Sequence, residues 1–185
     1  DIYDILADKA RFRALAEKIG VAAPRTELSH DLDEALAIAE NIGYPVLLSY
    51  NGTNKTVYSS GEMLMFIERL ELNEENPIRI ENFLYNAIEY EIDAVCAKGE
   101  IFIPEIIEHI ESAGINSEDA AGVIPPRSLS SEEFESICTY SKKLAAELEI
   151  SGLINIRFAI DHGKIYLLGA SVGASSTLPF VSKIC

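Results

Sequence analysis

The sequence predicts an α+β fold, and three observations carry the prediction. Stretches with helical periodicity are few and well separated. Strand-like runs mostly follow one another directly, with no repeating strand–helix–strand crossover. Turn signals at Asn51-Gly52, Lys98-Gly99 and Asp161-His162-Gly163 each separate two such runs, as hairpins require.

The elements follow in order. Asp8 to Ile19 places Phe12, Leu15, Ala16 and Ile19 on one helical face, and Gly20 stops it. Asp31 is followed three residues later by Glu34, an N-terminal capping pattern that starts a helix ending near Gly43-Tyr44-Pro45. Val46 to Leu48 reads as a short buried strand, turned back by Asn51-Gly52 into Lys55 to Tyr58. A helix follows from about Gly61 to Leu70. Strands are expected at Ile78 to Phe83, Ile88 to Ala97 and Glu100 to Ile110. Ser131-Glu132-Glu133 opens a long helix to about Leu148, apolar at Phe134, Ile137, Leu144 and Leu148. A last hairpin pairs Leu153 to Ile160 with Lys164 to Leu168.

At 185 residues, 48% of them hydrophobic, the chain can bury one sizeable core or two small lobes. No apolar run reaches the roughly 18 residues of a bilayer span, and the start, DIYDILADKARF, lacks a basic leader. Cys96, Cys138 and Cys185 are odd in number and widely spaced, so they outline neither a disulfide framework nor a zinc site. A cytoplasmic location is therefore expected. Asn51 and Asn54 fit the glycosylation acceptor pattern, which is read as chance in that setting. The net charge of −15 repels nucleic acid and anionic lipid, so neither is expected as a partner.

Two motifs fail on their own chemistry. Gly169-Ala-Ser-Val-Gly173 has three residues between its glycines and no lysine, whereas a phosphate-binding P-loop needs four and a Lys. It reads instead as small residues in a connecting loop. Glu105, Glu108, His109 and Glu111 crowd one predicted strand, with Glu105, His109 and Glu111 on one side of it and Glu108 on the other. A partly solvated strand is the plainer reading of that run than a metal site. Three histidines in all, His30, His109 and His162, leave few candidates for imidazole catalysis.

The runs Pro104 to Asp119, PEIIEHIESAGINSED, and Thr177 to Lys183, TLPFVSK, resemble the ATP-grasp module of the carbamoyl phosphate synthetase large subunit, most closely its carboxy-terminal, carbamate-phosphorylating half. Other segments resemble it in order: Lys18-Ile-Gly-Val21, Asp33 to Glu40 with Ile42 to Pro45, Glu81 to Leu84, Ala87 to Glu89, Ile92 to Val95, Gly152 to Asn155 and Arg157 to Ala159. The resemblance implies two α+β lobes with mostly antiparallel sheets around a nucleotide cleft. The smaller lobe falls at about residues 20–85 and the larger at about 86–185. The family's preceding domain is absent from this sequence, which suits a stand-alone domain or one excised from a longer protein.

The resemblance also implies site residues. The strand Glu81, Phe83, Leu84 matches the one lining adenine, and Glu89 matches the acid that accepts from ribose hydroxyls. The plainer readings are core packing for Phe83 and Leu84, and a solvated strand position for Glu89. On the phosphate and metal side the sequence departs from the family. Ser49 stands for an arginine, and a short Asn51-Gly52 turn replaces the longer Gly-rich flap. Arg157 stands for a glutamine metal ligand, Gly169 and Ser171 for glutamate and asparagine ligands, and Gly173 for an arginine. Asn116 and Glu118 stand for a histidine and a glycine.

Glycine offers no side chain and arginine is a cation, so neither supplies the oxygens that Mg²⁺ requires. The leading expectation is a catalytically degenerate domain with at most weak ATP binding, no Mg²⁺ site and no catalytic residue. It would serve as part of a larger synthetase-like assembly. Two alternatives stand beside it. One is an active ligase phosphorylating carbamate or another carboxylate, with ligands from elsewhere. The other is an interaction module holding an anion at Arg157 and Lys55. Arg157 itself either holds a phosphate or carboxylate in place of the metal or, as preferred, pairs with a nearby acid.

Overall fold

The computed structural model describes residues 1–84, 87–112 and 121–184, with backbone alone at 111 and 112. Along the chain come α1 (Ile2–Ala7), α2 (Lys9–Ile19), β1 (Thr26–Ser29), α3 (Leu32–Ile42), β2 (Val46–Tyr50) and β3 (Thr53–Val57). Then follow α4 (Ser60–Ile67), β4 (Ile78–Asn82), β5 (Ile88–Ala97), β6 (Glu100–Phe102) and β7 (Ile106–Ser112). The last are β8 (Gly122–Val123), α5 (Ser131–Glu147), β9 (Gly152–Asp161), β10 (Lys164–Val172) and α6 (Leu178–Ile184). They form two compact units, Pro24–Tyr85 and a second made of Asp1–Ala23 with Asn86–Cys185.

In the unit Pro24–Tyr85 four antiparallel strands lie in the order β1-β4-β2-β3. Asp31 caps α3 by accepting from the Glu34 N–H, and Ser59 caps α4 in the same way through Glu62. Asn51 and Gly52 take positive φ of 46° and 79°, the twist that a two-residue hairpin loop needs. Val46, Leu48, Val57, Ile78 and Ile80 alternate onto one sheet face and pack with Ala35, Ala39, Met63 and Ile67 of the two helices. The opposite face carries Leu47, Ser49, Arg79 and Glu81, by the period of two.

The second unit holds a six-stranded sheet, β10-β9-β5-β7-β8 with β6 beside β5. Helix α2 runs as its periodicity requires: Asp8 accepts from two backbone N–H groups at its start, and Gly20 ends it in the left-handed region at φ 84°. Its Phe12, Leu15, Ala16 and Ile19 join Ile137 and Leu144 of α5 over Tyr90, Ile92, Ile154, Ile156 and Phe158 of the sheet. Lys18 pairs with Glu147, and the Lys143 Nζ donates to the Ile19 carbonyl at 3.3 Å, so polar groups fasten the rim of the same helix pair.

Three expectations need correction. The run Glu100 to Ile110 is two strands, because Pro104 has no N–H for a ladder. Pairing with β5 stops at Phe102 opposite Val95 and resumes at Ile106 opposite Ile92. Phe134, expected on the apolar face of its helix, is 38% exposed in the first turn of α5. Gly169 to Val172 is no loop: β10 continues through it, pairing Gly169 with Arg157 and Ser171 with Asn155 after an irregularity near Leu167.

Candidate functional site

Strands β5 and β9 are antiparallel neighbours, so their alternate residues build one shared face. Tyr90, Ile92 and Ala94 of β5 point into the helix-covered core with Ile154, Ile156 and Phe158 of β9. The other face therefore carries Glu89, Glu91 and Asp93 beside Asn155 and Arg157. Register sets Glu91 opposite Arg157 and Asp93 opposite Asn155.

Arg157 and Glu89, both predicted site residues, come together here. Arg157 Nη1 lies 3.7 Å from Glu89 Oε1, with the arginine side chain 49% exposed and the glutamate 16%. Burial raises the Glu89 pKa above its ordinary value, although Arg157 and His109 pull the other way. The pair thus relieves the carboxylate more than the guanidinium, which water already solvates. Beneath the guanidinium sits Gly169. A Cβ there would lie 3.4 Å from Arg157 Nη2, in van der Waals contact with the guanidinium.

Deeper on this face is a polar network that the sequence did not announce. Glu91 is 7% exposed, Asp93 3% and Asn155 6%. Asn155 Nδ2 donates to Glu91 Oε1 at 2.6 Å and to Asp93 Oδ1 at 3.0 Å. The Ser175 hydroxyl donates to Asp93 Oδ1 at 2.5 Å, and the Thr177 hydroxyl lies 2.6 Å from Asp93 Oδ2 and 2.9 Å from Glu91 Oε1. His109 Nε2 completes the set by donating to Glu91 Oε2 at 2.9 Å. Burial pushes the Glu91 pKa up, but the bonds from His109, Asn155 and Thr177 outweigh it, and the net shift is downward. The network ties the segment that leads into α6 to the sheet. The signal that could have found it is Glu91-Ile92-Asp93, two acids alternating through an apolar strand.

Glu108 has a different task from the metal reading. Its carboxylate accepts from the Arg127 and Ser128 N–H groups at 2.7 and 2.8 Å and from the Ser128 hydroxyl at 2.9 Å, fastening the approach to α5. Glu105 accepts from the Ile106 N–H at 3.1 Å. No group of three His, Cys, Asp or Glu with metal-binding geometry occurs among the described residues.

Glu81, Phe83, Leu84, Ser49 and Lys55 belong to the unit Pro24–Tyr85. Glu81 on β4 lies between Thr26 and Leu47. The Phe83 N–H donates to the Pro45 carbonyl at 3.4 Å, and Leu84 is 6% exposed. Ser49 faces Arg79 across β2 and β4. Lys55 lines a hollow of about 260 Å³ with Glu62, Met65, Phe66 and Arg69. Asn116 and Glu118 lie outside the described residues.

Comparison with known proteins agrees with this architecture, which is the ATP-grasp fold. The biotin carboxylase domain of Hydrogenobacter thermophilus 2-oxoglutarate carboxylase superposes with a TM-score of 0.75 at 18% identity, over 99% of this chain and 43% of that one. Rhizobium etli pyruvate carboxylase T882A gives 0.77 at 19% identity, over 100% of this chain and 17% of that one. At such identity the likeness is one of fold alone. Residues 8–178 match the family model "Carbamoyl-phosphate synthase L chain, ATP binding domain", and the chain belongs to that family. The carbamoyl phosphate synthase large chain of Archaeoglobus fulgidus is 44% identical over 99% of this chain and 18% of its own length. The carbamoyl phosphate synthase large chain, C-terminal section, of Methanocaldococcus jannaschii is 40% identical over 95% of this chain and 29% of its own length. The chain thus spans less than a third of either relative.

No helix among the described residues is long and apolar enough to cross a membrane.

Proposed function

We propose that this chain is a carbamoyl phosphate synthetase-type ATP-grasp domain that binds nucleotide weakly and without a divalent ion, and does not transfer phosphate. One observation carries the reading: the Arg157 guanidinium lies over Gly169, where the resemblance calls for two oxygen ligands. Mg²⁺ needs an array of oxygen donors, and a cation beside a glycine withholds them and repels the ion. The residues present therefore do not fit Mg²⁺. Without it, charge building on a moving phosphoryl group is not neutralised.

The same guanidinium suits an anion. It is half exposed and held only loosely at 3.7 Å, so its planar fork is free to take phosphate oxygens in two parallel bonds. Glu89 beside it can accept from a ribose hydroxyl. Within a synthetase-like assembly such a domain would act as a structural or nucleotide-sensing part.

Calorimetry with ATP plus Mg²⁺, and with ATP plus chelator, tests this. Equal affinity in both, no ADP formed on incubation, and loss of binding in Arg157→Gln are expected. Affinity that climbs steeply with Mg²⁺, or steady ADP production, refutes it.

A further inference from the structure

We infer that the outer face of α4, with two cations beside it, docks an acidic peptide segment of another protein, one that sets large apolar side chains between carboxylates. Helix α4 carries five apolar residues in a row, Met63, Leu64, Met65, Phe66 and Ile67. Five consecutive residues exceed one helical turn, so they point all round the axis and one sheet cannot cover them. Met63 and Ile67 go into the core at 0% and 3% exposure, while Leu64 is 36% and Met65 63% exposed. Tyr58, just ahead of the helix, is 53% exposed. A helix that is apolar on every side is ordinarily buried on every side. Contiguous exposed apolar surface of this kind marks an interaction face, and methionine adapts readily to a partner's shape.

Charge identifies the partner. Lys55 and Arg69 line the hollow of about 260 Å³ together with Glu62, Met65 and Phe66. Lys55 is paired in register with the buried Leu48, so it points to the side of β3 that α4 covers. Glu62 is already engaged: it accepts from the Tyr58 N–H at 3.0 Å, next to the first turn of α4. Neither Lys55 nor Arg69 has an ion-pair partner among the described residues. The chain has 30 acidic residues for 15 basic ones, so two unpaired cations at one apolar hollow are a local exception to a surface that repels anions. Their complement is a pair of carboxylates flanking an apolar group. A second copy of the chain fits less well, since two bodies of net charge −15 repel each other. Lys55 also blunts the edge strand β3 against pairing with its own copy.

This surface lies within the unit Pro24–Tyr85 and shares no residue with the Glu89–Arg157 pair, so it stands or falls apart from the nucleotide reading. Its probe is the acetylated, amidated peptide Glu-Glu-Phe-Leu-Glu-Glu, titrated against the full chain by fluorescence anisotropy and backbone amide shifts. Saturable binding is expected, with shifts at Lys55, Met65 and Arg69. Lys55→Gln and Arg69→Gln should each weaken it about threefold and together about tenfold, the scale of partly exposed charge pairs. Met65→Ala should cost about fivefold through lost apolar contact. All three side chains are exposed, and circular dichroism checks folding; a variant that fails leaves the decision to the other two.

Peptides with Lys in place of Glu, or Ala in place of Phe and Leu, should not bind at the same concentrations. Equal binding of either control, wild-type affinity in the Lys55 and Arg69 double variant, or no saturable binding overturns the proposal. Two other results overturn it in favour of a different occupant. A dimer in sedimentation that Met65→Ala abolishes assigns a second copy. Lys55-dependent binding to phosphatidylserine vesicles, with none to the peptide, assigns a lipid surface.

Discussion

Replacing Thr177 by valine removes one hydroxyl while keeping the side-chain shape, and so isolates what the buried network contributes. The Thr177 hydroxyl lies 2.6 Å from Asp93 Oδ2, 2.9 Å from Glu91 Oε1 and 2.9 Å from Ser175 Oγ. It has one proton to give, so one hydrogen bond to a charged acceptor is lost, worth about 1.5–3 kcal/mol. The valine methyl then faces two carboxylates of at most 7% exposure, a further desolvation of about 1 kcal/mol. The expected loss is about 2.5–4 kcal/mol, a large share of the roughly 5–15 kcal/mol that holds a typical domain folded. Urea unfolding followed by far-ultraviolet circular dichroism measures it, as a lower midpoint at unchanged slope.

The loss should also depend on pH. The folded-state pKa of Glu91 lies below its ordinary value, so its contribution is complete above about 4.5 and disappears as pH falls through the depressed value. Thr177 is one cause of that depression, and the gap between variant and parent should narrow in acid. A loss under about 0.5 kcal/mol, the ordinary scale of a surface change, refutes the account of the network.

Glu108→Gln exchanges a carboxylate that accepts three hydrogen bonds for an amide with one acceptor oxygen, and should cost about 1–3 kcal/mol in the same assay. Burial opposes ionisation of Glu108, but bonds from Ser128 and Arg127 hold its pKa below the ordinary value. The cost should therefore be full near neutral pH and fade as pH drops below about 4.5. The triple change Arg157→Gln, Gly169→Glu, Ser171→Asn returns the residue types that the family resemblance calls for. Removing the guanidinium clears the group that the new Cβ would touch at 3.4 Å. ATP affinity should then rise at least about tenfold on adding Mg²⁺, as an oxygen-lined site allows. Affinity indifferent to Mg²⁺ in this variant would show that something else bars the metal.

Local chemistry made much of the fold legible. Asp8, Gly20, Asp31 and Gly43 set the limits of α2 and α3, because caps act within one turn of the residues that carry them. Strand β5 was readable from end to end, its core face being apolar and its ends marked by turn residues. Short elements escaped: α1 has six residues, and β1 has four with little alternation. Residues of the candidate site were readable singly, through Glu89 and Arg157, but not as a set. Which strand lies beside β5 is decided by packing across some sixty intervening residues. Only that adjacency puts Asn155 between Glu91 and Asp93 and gives two buried acids their donors.

The discontinuous build of the second unit has a consequence for synthesis. Helix α2 is made before its cover: α5, which packs over Phe12, Leu15 and Ile19 together with the sheet, follows more than a hundred residues later. Pro24–Tyr85, continuous in sequence, can condense first. Throughout that interval a nascent chain carries an amphipathic helix with its oily stripe bare. Such a stripe is the kind of surface that cellular holdases recognise, so production of this polypeptide should be more sensitive to translation speed and chaperone supply than its finished stability suggests.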